Sequence, residues 1–139
     1  MEGEDARYRV YVGVDSAAET FTAAWRAPGG QPTTPFTSAQ TPVGFAALRH
    51  RLQGTGSPPA ATLVVLEATG NYWVALAVAR HEAGYRVAVV NPRQAHHCAK
   101  AQLRRAKTDA LDARDLAQLA AALRPAPWTP PPAVDHEVR

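Results

Sequence analysis

Cysteine is almost missing from this chain: Cys98 is the only one in 139 residues. A single thiol allows no internal disulfide and no cysteine-built zinc site, and it suits a reducing, cytoplasmic setting. His96 and His97 do not supply a zinc site either, since they lack paired spacing and partner cysteines. No apolar run approaches the roughly 20 residues that a membrane helix needs. The opening Met1-Glu2-Gly3-Glu4-Asp5 is acidic and has neither the basic nor the apolar region of a signal peptide. Net charge is also small, +3 with a pI near 9.4, so basic character has to be sought locally. No internal repeat is visible. What remains is ordinary globular composition with many alanines and prolines, long enough for one domain with a sizeable core.

Taken in order, Tyr8 to Asp15 reads as a strand whose two faces are both largely apolar, as in a central strand covered on both sides. A short turn leads to Thr20–Trp25, which pairs with it as a hairpin. Thr33 to Ser38 is a third strand that Pro32 and Pro35 confine to a sheet edge. Thr41-Pro42 starts a helix buried along Phe45, Leu48 and Leu52, and Gly54 ends it. Thr62 to Leu66 is an apolar strand closing on Glu67. Thr69-Gly70-Asn71 opens a helix with Tyr72, Leu76, Ala79 and Ala83 along one stripe and Gly84 as its stop. Tyr72 and Trp73 are expected in the core. Arg86–Val90 is a further strand, halted by Asn91-Pro92. This order predicts an α/β fold, a mixed sheet with flanking helices, centred on the first strand.

From Arg93 to Lys107 the chain carries Arg93, Lys100, Arg104, Arg105 and Lys107 without one acidic residue. Such a run suits phosphate contacts that do not depend on base sequence. His96 and His97 read as loop residues within it. From Lys107 to Leu123 the pattern reads as a helix. Asp109, Asp112, Leu116, Leu119 and Leu123 share one stripe, and Arg114, Gln118 and Ala121 face outward. Thr108 would cap that helix, and Asp115 falls off the stripe as a solvated group. Carboxylates on a core-facing stripe are costly unless they are paired or protonated. Asp15 and Glu67 each end an apolar strand, where ligand sites form in α/β sheets. If those strands are neighbours, the last helix can lay Asp109 and Asp112 beside them. Convergent carboxylates call for hard divalent cations, magnesium or manganese. Two such ions, roughly 3.5–4 Å apart, clamp the attacking and leaving oxygens of a phosphodiester.

Val12-Gly13-Val14-Asp15, Leu66-Glu67-Ala68-Thr69-Gly70-Asn71-Tyr72, Val90-Asn91-Pro92 and Lys107-Thr108-Asp109-Ala110-Leu111-Asp112-Ala113 occur in that order. Together they resemble the N-terminal domain of the DEDD insertion-sequence transposases. That family includes the Piv and MooV DNA recombinases and is related to the Holliday-junction resolvase RuvC. The resemblance runs from about Tyr8 to Leu123. It implies a ribonuclease-H-like (RuvC-like) fold, with Asp15, Glu67, Asp109 and Asp112 as catalytic, metal-binding acids for two Mg²⁺ or Mn²⁺ ions. It also implies DNA as partner, DNA cleavage and strand transfer, a structured guide RNA in some members, and self-association of the full-length protein. Members carry a C-terminal domain with a serine that takes part in strand exchange. Residues 1–123 are therefore expected to be the catalytic domain. Residues 124–139, rich in proline from Pro125 to Pro132, are expected to be a linker toward a domain that this sequence does not contain.

Competing readings are an actin- or sugar-kinase-like ATP-binding domain and a non-catalytic nucleic-acid-binding module. The first also begins with a strand ending in aspartate, but it needs a glycine-bearing phosphate turn. Ser16-Ala17-Ala18-Glu19 stands there instead.

Overall fold

The computed structural model describes residues 8–103 and 111–131. Within them β1 (Val10–Ser16), β2 (Thr20–Arg26) and β3 (Phe36–Ala39) form an antiparallel meander. After it come α1 (Pro42–Gln53), a short 3-10 turn (Pro59–Ala61), β4 (Thr62–Glu67) and α2 (Val74–Glu82). β5 (Arg86–Val90), α3 (Pro92–Gln102) and α4 (Ala113–Leu123) complete the order. The five-stranded sheet runs β3-β2-β1-β4-β5, so β1 is central, antiparallel to β2 and parallel to β4. The third strand is shorter than its sequence suggests because regular pairing starts only past Pro35.

Alternation along the strands sorts their side chains onto two covered faces. Val10, Val12, Val14, Val64, Leu66 and Val87 pack beneath α1 and α2, with Leu48, Leu52 and Leu76. Tyr11, Leu63, Val65, Ala88 and Val90 pack beneath α3 and α4, with Ala95, Ala99, Leu116 and Leu119. Asp15 and Glu67 continue the second set by the same period of two, so they fall on the α4 side where the sheet ends.

The seat of α4 is decided at Gly13. A Cβ placed there would lie 2.2 Å from the backbone nitrogen of Ala117 and 2.3 Å from the carbonyl oxygen of Ala113. Helix backbone therefore rests directly on strand backbone, flanked by Ala113, Ala117 and Ala120, none of which is solvent-accessible. Only glycine permits that approach.

Several elements differ from expectation. The final helix does not begin near Thr108: it starts at Ala113, and Asp112 is its N-cap, with extended backbone (φ −102°, ψ −177°). Asp112 is thus not a first-turn stripe residue, because aspartate followed three positions later by Asp115 forms a capping box that opens a helix itself. Thr108, Asp109, Arg104, Arg105 and Lys107 lie outside the described residues. On the outward side Arg114 is exposed, while Gln118 and Ala121 are half-buried. The start of the basic stretch is not a loop but α3, opened by the Asn91 side chain, which accepts from the Arg93 and Gln94 amides, with Pro92 at its first turn. α2 begins at Val74 without a side-chain cap, and it buries Leu76, Ala77 and Arg80 where Leu76, Ala79 and Ala83 were expected. Tyr72 is 51% exposed rather than in the core, whereas Trp73 packs against it.

The stretch after α4, 124–131, has no helix or strand, as its prolines require. It is docked nonetheless: the Trp128 amide donates to the Val87 carbonyl at 2.6 Å, and its ring meets Trp73 edge-on at 5.7 Å. Among the described residues no helix is long and apolar enough to cross a membrane.

Gly13→Ala is expected to cost about 2–3 kcal/mol through overpacking against a backbone that cannot step aside. Thermal melting should then fall by on the order of 10 °C. A melting temperature within experimental error of the parent would contradict this account of the interface.

Candidate active site

β1 and β4 are in register up to Val14 opposite Leu66, so Asp15 and Glu67 are the next residues on adjacent parallel strands. Glu67 is itself paired with Val90 of β5, and the Ala68 amide continues that ladder to the Val90 carbonyl at 2.9 Å. The glutamate backbone is thus held from the β5 side. Asp15 has the β2 ladder on its other side, opposite Thr22. Asp112 reaches the same region from α4, whose first turn sits above Gly13.

The electrostatics agree with this placement. Partial burial holds the Asp15 carboxyl above its ordinary value, and the negative charge of Asp112 pushes it further. Glu67 is likewise raised, first by burial; His96 opposes the shift and Asp15 adds to it. Asp15 therefore feels Asp112, and Glu67 feels Asp15. His96 Nε2 lies 3.6 Å from Glu67 Oε2, a contact that places α3 beside the acids. His96, read as a loop residue, is thus a helix residue facing the site.

Asp112 divides its duties. Its Oδ1 accepts the Asp115 amide at 2.9 Å, and the Asp115 carboxylate accepts the Asp112 amide at 3.1 Å. Asp115 is accordingly 7% exposed, not the solvated off-stripe group expected. The missed signal was an Asp-x-x-Asp spacing, which is a helix-opening pair as readily as a ligand pair.

The basic residues divide. Arg93 and Lys100 are both exposed on α3. Arg93 borders an open cleft of about 730 Å³ with Asn91, Gln94 and His97, at the end of the sheet that carries Glu67. A smaller hollow of about 320 Å³ between Arg9, Trp25, Arg26 and Ser57 lies at the opposite end of β1, away from the acids. Among the described residues no three His, Cys, Asp or Glu side chains close on one point as a finished metal centre. The donor set of Asp15, Glu67 and Asp112 nonetheless fits a hard divalent cation: all are carboxylates, and after burial the neighbouring negative charges of Asp112 and Asp15 raise Asp15 and Glu67 respectively.

The sequence pattern of DEDD transposases of the IS110 group, a transposase family, matches residues 12–139. The chain belongs to that family. Among curated relatives of this transposase chain, the pilin gene-inverting protein of Moraxella bovis is 34% identical over 131 residues. That of Moraxella lacunata is 33% identical over 131 residues. Each match covers 94% of this chain and 39% of the relative, so the chain spans about two fifths of the length of those proteins. Among solved structures, T. thermophilus RuvC in complex with a Holliday junction substrate superposes with a TM-score of 0.59 at 15% identity. That alignment covers 87% of this chain and 100% of the other. The transposase chain therefore has the ribonuclease-H-like fold expected of it.

Raised carboxyl pKa values carry a definite sign. Between their ordinary values, 3.8 and 4.5, and the raised ones, the folded chain binds more protons than the unfolded chain. The stability these groups lend is full below the ordinary values and is lost as pH rises through the folded ones. Without added metal, Asp15→Asn is expected to melt higher than the parent at pH 7, with the difference shrinking toward pH 4. Paired melts across that range measure it; a difference that grows on acidification would refute the assignment.

Proposed function

We propose that this chain is the metal-dependent cleavage domain of an insertion-sequence transposase, acting on DNA phosphodiesters during transposition or inversion. The observation that carries the reading is the linked placement of Asp15, Glu67 and Asp112 at the end of the central parallel strand pair. Asp109 joins them as the fourth acid, on the strength of the family motif. These residues would hold two Mg²⁺ or Mn²⁺ ions, which supply an activated water or hydroxyl and neutralise charge on the scissile phosphate. The chain's own part is to fix the acids' backbone and to hold the carboxyls close, where burial and mutual charge raise their pKa values until a cation neutralises them. His96, 3.6 Å from Glu67 Oε2, would orient that carboxylate.

Arg93 and Lys100 on α3, with Arg104, Arg105 and Lys107 beyond it, would hold the phosphate backbone on either side of the cut. This contact positions the strand without reading its bases. DNA inversion, named for the Moraxella relatives, is the reaction class this proposal adopts for the whole protein. A C-terminal domain and self-association would belong to that whole protein, and so would the structured guide RNA that some members of the family use. The segment 124–139 would lead to the second domain.

Mn²⁺ at millimolar concentration is expected to raise the melting temperature of the parent chain, because a cation bound only by the folded state stabilises it. Asp15→Asn, Glu67→Gln and Asp112→Asn should each abolish the shift. Asn caps a helix about as well as Asp, so Asp112→Asn isolates the lost charge from the lost cap. No shift in the parent sinks the metal reading.

For the phosphate contacts, Arg93→Ala and Lys100→Ala should weaken DNA binding alike for unrelated sequences. On duplex DNA each should also lower the log-log salt slope by roughly 0.9 for every phosphate that is no longer neutralised. Fluorescence anisotropy titrations at several salt concentrations test this, and an unchanged slope would exclude both residues.

A further inference from the structure

Gln40 stands outside every motif so far described. It lies between the end of β3 at Ala39 and Thr41, the N-cap of α1. Its Nε2 donates to the carbonyl of Ala17 at 3.0 Å and to the carbonyl of Tyr72 at 2.9 Å. Ala17 follows Asp15 in the turn after β1, and Tyr72 belongs to the turn that follows Glu67. One side-chain amide therefore spans the two segments that leave the acids, and both its protons are used.

The strands themselves do not do this. The β1–β4 pairing is in register only as far as Val14 and Leu66, so beyond that point the two chain segments depend on other braces. The Asp15 charge also raises the Glu67 pKa, after burial, so the two carboxylates do not themselves hold the segments together.

Gln40 is a suitable anchor because its own backbone is fixed. Its amide donates to the Glu19 carbonyl at 2.9 Å. Thr41 Oγ1 accepts the Gly44 amide at 3.1 Å. A Cβ on Gly44 would lie 1.8 Å from the Ala39 carbonyl oxygen, so α1 begins pressed against the end of β3. The side-chain oxygen of Gln40 is buried with no hydrogen bond among the described residues. An amide whose oxygen is left unmade while both donors are engaged is held there by its donors.

We infer that Gln40 is a positioning residue for the acid pair: its amide ties the turns after Asp15 and Glu67 together so that both carboxylates can share a cation. The inference rests on the proposed metal role of those acids. Its physical content is a brace between the two turns in the metal-free state, made by the two hydrogen bonds to Ala17 and Tyr72. Gln40 touches neither carboxylate, so it acts on them through the backbone of the two turns.

Gln40→Glu keeps the shape and replaces the donors with an acceptor that faces two carbonyls. Gln40→Met removes the donors without adding charge, and it serves if the glutamate variant does not fold. For either variant, Mn²⁺ affinity measured by calorimetry on the whole chain should weaken, by less than the roughly 10–100-fold that follows loss of a group bonded directly to a ligand. Amide hydrogen exchange in the turns 17–19 and 69–72 should quicken without metal, while the metal-free melting temperature falls by no more than roughly 10 °C. A lowered melting temperature with parental Mn²⁺ affinity and parental exchange in those turns would overturn the inference and leave Gln40 a fold residue. If the parent takes up no Mn²⁺, the reading of the acids fails. The exchange comparison then still decides whether Gln40 braces the turns: quickening supports the brace, and no change overturns it.

Discussion

The contact of bare backbone on bare backbone at Gly13 is what the rest of the molecule leans on. It lets α4 settle onto the centre of the sheet at a distance that any side chain would forbid. Because the contact runs from Ala113 to Ala117, it also fixes where the helix begins. The residue just before that beginning is Asp112, and the strand that carries Gly13 carries Asp15 next to its last residue. One steric fact thus sets both the packing of the largest apolar helix face and the approach of two acids from distant parts of the chain.

That approach works against stability. Asp15 and Glu67 are both pushed toward protonation by burial and by neighbouring negative charge. A fold concerned only with stability would place asparagine or threonine there. The offset comes from elsewhere: a sheet covered on both faces, with Val12, Val14, Leu63 and Leu66 at 0% exposure, and helix starts closed by Thr41, Asn91 and Asp112. Local disfavour concentrated where ligands bind is a general mark of functional sites.

The central strand, its hairpin partner, the crossover strand and the acids at their ends were legible because apolar alternation and abrupt termination on a carboxylate are strong one-dimensional signals. The seat of α4 was half legible: its leucine stripe was plain, but its start was misplaced. A stripe continued backward through Asp109 and Asp112 has helical spacing, whereas Asp112 and Asp115 spend their side chains on opening the helix. α3 was missed because its buried face is only Ala95 and Ala99. Alanines so placed carry almost no hydrophobic contrast, even though Asn91-Pro92 announced a start. Gln40 carried no signal in the sequence and His96 was read as a loop residue, since the contacts of both depend on partners far away in sequence. Tyr72 was assigned to the core by its type, and the turn that holds it ends before α2 starts.

The docked tryptophan of the proline-rich tail has a bearing on solubility. β5 is the outermost strand on its side, and an open strand margin invites a second chain to add to it. The Trp128 amide already occupies the Val87 carbonyl there, and the indole is wedged between Trp73 and His81. An incoming strand would first have to evict that ring, and the prolines on either side of it offer no further ladder to extend. The tail therefore works as a selvedge, keeping copies of the sheet from knitting together at that border.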